Sequence, residues 1–140
     1  MEIEVYRAAT HETTFRGLPL APVPAGVPQE AAHEESELID LNEYVAGSSE
    51  NVYYIRVTGD SMIEFGIFED DLLVVERDRQ PRSGQVVIAD INGSFTIKRF
   101  ERREQRLFLV PANSNYAPVP IDYLDNFAVW GVVTHVIHKL

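Results

Sequence analysis

Asn92-Gly93 is the pair of residues that most restricts what this chain can become. It lies between "QVVIADI" and "SFTIKRF", two runs rich in β-branched and aromatic side chains. A two-residue type I′ turn needs positive φ at both central positions, and Asn followed by Gly meets that need at little steric cost. The pair therefore predicts an antiparallel hairpin in which partner residue numbers sum to 185. In that register Lys98 faces Val87 and Thr96 faces Ala89, and the pleat puts all four on one side of the sheet.

The same texture extends from Asn51 almost to the C-terminus: "NVYYIRV", "DLLVVE", "RLFLV" and "FAVWGVVTHVIH" are short β-like runs punctuated by Gly, Pro, Asn and Ser. The expected fold class is mostly β, a compact antiparallel domain over residues 38–140. With 140 residues, 45% of them hydrophobic, the chain is long enough to bury one core. Residues 1–37 differ. Four prolines fall between positions 19 and 28 and an acidic run follows, so this segment is expected to be an extended, flexible N-terminal arm with polyproline-like pieces and no ladder. At the junction, Asp40 and Glu43 form a capping-box-like start and Gly47 can end a short helix.

The net charge of −10 argues against tight nonspecific binding to DNA over the whole surface. A basic cluster, Lys98, Arg99, Arg102, Arg103 and Arg106, is diluted by Glu101 and Glu104 and reads as the solvated end of a hairpin. There is no cysteine, which removes disulfides, thiolate chemistry and cysteine-based zinc sites. No apolar run is long enough to span a bilayer, and the acidic N-terminus is unlike a secretory signal. A cytoplasmic protein without membrane attachment is expected.

Chemistry enters with "VTGDSMIEFGIFEDDLLVVE", residues 57–76, which sets Ser61 in a Gly-Asp-Ser-Met turn between two β-like runs. An ordinary turn is the commoner reading of such a stretch, because a serine hydroxyl is a weak nucleophile without a base. The histidines are poor candidates. A zincin helix around His11 would need histidine where Phe15 stands, and His33 has no metal-ligand pattern around it, so no metal is expected. His135 and His138 fall on opposite faces of the last strand and read as structural. Of the two lysines, Lys139 is next to the C-terminus, whereas Lys98 sits on a strand beside small apolar side chains. An exposed sheet lysine is the commoner reading of that position too. A lysine base must be neutral, and moving it from ~10.4 to about 7 costs ~4–5 kcal/mol. Burial can supply such a shift, and Thr96 could hydrogen-bond and orient the neutral amine. Spacing alone does not join Ser61 to Lys98.

Taken together, "VTGDSMIEFGIFEDDLLVVE" and "GSFTIKRF" resemble the self-cleaving domain shared by LexA-type repressors and UmuD-type mutagenesis proteins, a family that uses a Ser-Lys dyad. The likeness to the UmuD type spans about residues 24–138 and includes "IDLN" at 39–42, "PANSNYAPV" at 111–119 and "GVVTHV" at 131–136. The 37-residue spacing from Ser61 to Lys98 fits as well. The resemblance implies a LexA C-terminal/signal-peptidase-like β fold that serves as peptidase and dimerisation domain. It assigns Ser61 as nucleophile and Lys98 as general base, with an oxyanion site from backbone N–H groups around Ser61 and Met62, and it calls for no cofactor. It also implies the substrate, the Ala25-Gly26 bond of the chain's own arm, about 35 residues before the serine. Two small residues admit a nucleophile closely, and the intervening chain can reach the dyad at up to ~3.3 Å per residue. The following "VPQEAAH" departs from the Phe-Pro-Ser-Pro pattern common in the family.

Within the family the short-armed UmuD type fits better than the others. Only 25 residues precede the bond, and they are acidic, which is too little for a three-helix DNA-binding domain. Direct sequence-specific DNA binding is therefore not expected. The resemblance implies a DNA-damage (SOS) response protein whose self-cleavage is stimulated by a RecA–single-stranded DNA filament. The processed homodimer would then join a UmuC-type polymerase for error-prone translesion synthesis. "TTFRGLPL", residues 13–20, lies where the family's arm meets the sliding clamp. Two alternatives stand beside this: a LexA-like or phage-type self-cleaving transcriptional regulator lacking its own DNA-binding domain, and a non-proteolytic binding module.

Overall fold

The computed structural model describes residues 4–7, 16–19, 25–26, 36–47, 49–60 and 62–140. These belong to two compact units, one formed by residues 1–8 and 49–140, the other by residues 9–48. The first strand, β1 (Glu4–Arg7), belongs to the larger unit. The smaller unit contains β2 (Arg16–Pro19) and β3 (Ser36–Ile39), paired antiparallel from Arg16↔Ile39 to Pro19↔Ser36. Its helix α1 (Leu41–Ala46) follows directly.

This differs from the arm expected over residues 1–37, where the prolines were to forbid a ladder. Pro22, Pro24 and Pro28 all fall between the two strands, and Pro19 is the last residue of β2, where a missing N–H does least harm. By contacts the chain divides after Ala8 and after Ser48. The helix matches its sequence signals. The Asp40 carboxylate accepts the Asn42 N–H at 3.0 Å, and the chain leaves through Gly47 at φ 63°, whose N–H donates to the Glu43 carbonyl at 2.8 Å.

In the larger unit seven more strands follow in chain order: β4 (Val52–Arg56), β5 (Leu72–Arg77), β6 (Val86–Ile91), β7 (Ser94–Arg103), β8 (Arg106–Val110), β9 (Val119–Pro120) and β10 (Phe127–Ile137). With β1 they form one antiparallel eight-stranded sheet in the order β1-β4-β5-β10-β6-β7-β8-β9. The mostly β, antiparallel fold class expected from the sequence is the one observed. The β6–β7 hairpin has the predicted register throughout, from Val86↔Arg99 to Ile91↔Ser94. Its turn residues Asn92 and Gly93 adopt φ 52° and 82°. Two side chains hold the turn: Asp90 Oδ1 accepts the Gly93 N–H at 2.8 Å, and Asn126 Nδ2 donates to Asn92 Oδ1 at 3.1 Å.

Alternation along the strands sends side chains to two apolar clusters. One contains Ile55, Met62, Leu73, Val75, Ile88 and Ile97; the other contains Val87, Ala89, Leu109 and Val132. The central strand β10 interrupts the alternation twice. Trp130 is an extra residue in its pairing with β6, and Thr134 is an extra residue in its pairing with β5. Beside the first bulge, Gly131 lies so close to β5 that an added Cβ would stand 2.5 Å from Val75 Cγ1 and 3.1 Å from the Glu76 carbonyl oxygen.

Candidate active site

The loop from Val57 to Asp71 carries the Gly-Asp-Ser-Met turn, and backbone bonds close its neck. Val57 N–H donates to the Asp71 carbonyl at 2.9 Å, and Asp70 N–H donates to the Val57 carbonyl at 2.9 Å. Inside the loop, Met62 is buried in the first apolar cluster, and its carbonyl accepts from Phe65 N–H at 3.1 Å and Ile67 N–H at 3.3 Å. One 3-10 turn, Ile63–Phe65, ends at Gly66 with φ 74°. Ser61 itself lies outside the described residues.

The residues on either side of Ser61 are fastened by the segment that follows β8. Asn113 Nδ2 donates to the Asp60 carbonyl at 3.0 Å, and the Tyr116 hydroxyl donates to Asp60 Oδ1 at 3.3 Å. On the other side, Ala112 N–H donates to Met62 Sδ at 3.4 Å, and Glu64 N–H donates to the Ala112 carbonyl at 2.7 Å. Asn113 is itself buried, so its amide replaces hydration that the Asp60 carbonyl would otherwise need. Sequence reasoning assigned no task to these residues. Their only signal was the "PANSNY" block, which a likeness can flag but whose partner 53 positions away it cannot name.

Lys98 stands where the hairpin register put it. Val132, Val87 and Lys98 form one row across β10, β6 and β7, and both valines are fully buried. The neighbouring row on that face is Val129, Ala89 and Thr96. Lys98 Nζ donates to the Ile97 carbonyl at 3.1 Å. Burial of the amine lowers its pKa from the ordinary lysine value, because the charged form loses more hydration than the neutral one. The β7–β8 ladder runs out at Arg99↔Val110. The 112–116 segment that grips Asp60 and Met62 thus leaves β8 next to the strand position of Lys98.

Three arginines of the basic cluster are ion-paired. Glu101 bridges Arg99 at 3.2 Å and Arg103 at 3.1 Å, and Arg106 meets Asp122 at 3.1 Å. The Arg103 hydrogen bond, assisted by Arg99, holds the Glu101 carboxyl below the usual carboxylate range. Arg99 also lies 4.2 Å above the Phe65 ring. This is the solvated hairpin end expected from the sequence.

Ala25 and Gly26 form an exposed bend in the smaller unit, and a Cβ at Gly26 would meet nothing within 4 Å. Of residues 13–20, Arg16–Pro19 form β2 and the rest lie outside the described residues, as do His11 and His33. His135 Nδ1 contacts Thr134 Oγ1 at 3.0 Å, and His138 Nδ1 contacts Asp71 at 2.5 Å. Among the described residues, no helix is long and apolar enough to cross a membrane.

The antiparallel β domain, with a half-buried strand lysine of lowered pKa, is compatible with a serine peptidase, and the family comparison points the same way. Residues 19–134 match the Peptidase S24-like family, so the chain belongs to that family, whose members are self-cleaving serine peptidases of the LexA/UmuD type. Among individual relatives it is 40% identical over 116 residues to protein SamA of Salmonella typhimurium, covering 83% of this chain and 80% of that protein. Protein ImpA of Escherichia coli is 39% identical over 115 residues, covering 82% and 78%. A LexA repressor of Syntrophotalea carbinolica is 41% identical over 121 residues, covering 86% of this chain and 59% of that protein.

Proposed function

We propose that this chain cuts its own Ala25-Gly26 bond with a Ser61-Lys98 dyad. The observation that carries the reading is Lys98, an amine of lowered pKa in an apolar row, next to the segment that fastens both neighbours of Ser61. The neutral amine takes the proton of the Ser61 hydroxyl as Oγ attacks the Ala25 carbonyl carbon. Backbone N–H groups around Ser61 and Met62 stabilise the resulting oxyanion. The Lys98 ammonium then returns a proton to the departing Gly26 nitrogen, leaving residues 1–25 as an ester on Ser61. Water hydrolyses that ester, with Lys98 again as base, and the serine is regenerated. Thr96, in the adjacent row on the same face, orients the amine. Because the substrate is part of the same chain, its effective concentration is high and a weakly specialised cleft suffices.

By its likeness to the UmuD type, the cut is stimulated by a RecA–single-stranded DNA filament. The processed homodimer then joins a UmuC-type polymerase in translesion synthesis, and residues 13–20 of the uncut arm contact the sliding clamp. Incubation of the purified chain at rising alkaline pH tests the chemistry. The expected product begins at Gly26, forms faster as Lys98 loses its proton, and is absent from Ser61→Ala and Lys98→Ala. Cleavage that survives either substitution would sink the dyad.

A further inference from the structure

The adjacent strands β5 and β10 end on a pair of side chains that the dyad chemistry leaves unused. β10 and β5 pair His135 with Val74, Val136 with Leu73 and Ile137 with Leu72, so the next step brings His138 opposite Asp71. The bulge at Thr134 decides this. Had the register of Val133↔Val75 continued unbroken, Ile137 would face Asp71 and His138 would have moved to the other side of the strand. Thr134 Oγ1 secures the bulge by donating to the Val74 carbonyl at 3.3 Å.

Asp71 is 2% exposed, and a carboxylate at that depth needs partners on both oxygens. Oδ2 accepts the Phe68 N–H at 2.8 Å, and Oδ1 meets His138 Nδ1 at 2.5 Å. The imidazole also packs against the Phe68 ring, with centroids 5.6 Å apart. Through its backbone, Asp71 accepts from Val57 and donates to the Phe68 carbonyl at 3.1 Å. One residue therefore ties the neck of the 57–71 loop, and a half-exposed histidine beyond the last strand holds that residue's carboxylate.

We propose that His138 is a positioning residue for self-cleavage, acting through Asp71 to fix the neck of the loop that bears Ser61. The inference rests on Ser61 being the nucleophile. Displacing reacting groups by about 1 Å can cost ~100-fold in rate, so a small loosening of this neck slows cleavage even where the fold survives. The test uses His138→Ala and His138→Asn, whose amide nitrogen lies near the place of Nδ1. Self-cleavage is followed across the alkaline range, and exchange of the Phe68 amide is measured in a Ser61→Ala background. His138→Ala is expected to cut at least about 10-fold more slowly with the same pH profile and a faster-exchanging Phe68 amide, and His138→Asn is expected to recover most of the rate. A wild-type rate in His138→Ala, or equal losses in both variants, would overturn the proposal. Cleavage by Ser61→Ala would instead remove the dyad reading itself, so the two failures are distinguishable.

Discussion

At the scale of single residues, the burial of Lys98 has a cost that can be measured without any cleavage. Its pKa is lowered in the folded state, so below that value the native protein holds a charged amine in an apolar row. As pH rises, the native state loses this proton before the unfolded chain does. The unfolded state then binds more protons, and stability increases with pH up to the ordinary lysine value of ~10.4. Lys98→Met in a Ser61→Ala background should therefore be more stable than Ser61→Ala alone at neutral pH. The advantage should shrink toward pH ~10.4, as read by denaturant midpoints. A gain that grows with pH would contradict desolvation as the cause. The position of Lys98 was legible because one Asn-Gly turn sets the register of the six residue pairs around it. The fastening of Asp60 by Asn113 and Tyr116 was not, because no local pattern links residues more than 50 positions apart.

Among the secondary-structure elements, β10 departs furthest from what its residues announce. Trp130 and Thr134 are good strand formers, and nothing in "FAVWGVVTHVIH" marks them as bulges. Gly131 does carry a signal, since glycine inside a strand often marks close backbone approach. Here the approach is to Val75 and Glu76, and the added methyl of Gly131→Ala would meet Val75 Cγ1 and then rigid backbone. That substitution should destabilise the fold by ~1–3 kcal/mol, the usual cost of overpacking, visible as a lower melting temperature in the Ser61→Ala background. A neutral result would mean that β5 yields more easily than its neighbours suggest. Helix α1 was legible from its caps, because Asp40 and Gly47 act within four residues of the bonds they make. The β2–β3 pair was missed because proline content was averaged over a segment whose prolines cluster outside the ladder.

For the whole molecule, the sheet order adds a consequence to self-cleavage. β1 covers the outer edge of β4 in four pairs, from Glu4↔Arg56 to Arg7↔Tyr53, with an ion pair of 3.4 Å between Glu4 and Arg56. Both charges are substantially exposed, so that bridge adds little. Cutting after Ala25 would remove the covalent link between β1 and its sheet, leaving residues 1–25 held by the four β1–β4 pairs and the four β2–β3 pairs. The β4 amides that β1 pairs should then exchange with solvent faster in the form beginning at Gly26 than in uncut Ser61→Ala. Equal exchange would mean that β1 stays bound after the cut. An opened edge strand is also a ready site for pairing with another extended segment.

Pattern and turn chemistry act over a few residues, and whatever depends on them could be read without the fold. These features are the mostly β class, the β6–β7 hairpin with its register, the capped helix and the apolar face shared by Lys98 and Thr96. The family resemblance added two expectations, a Ser61-Lys98 dyad and Ala25-Gly26 as the bond it cuts. Beyond the β6–β7 hairpin, tertiary structure alone decided which strands become neighbours. The last strand enters between β5 and β6, and the Thr134 bulge then carries His138 to Asp71. The physical reason is that strand alternation specifies which face a side chain takes but not which strand lies alongside. That choice is made by packing two apolar clusters at once, and it involves residues that no short-range pattern connects.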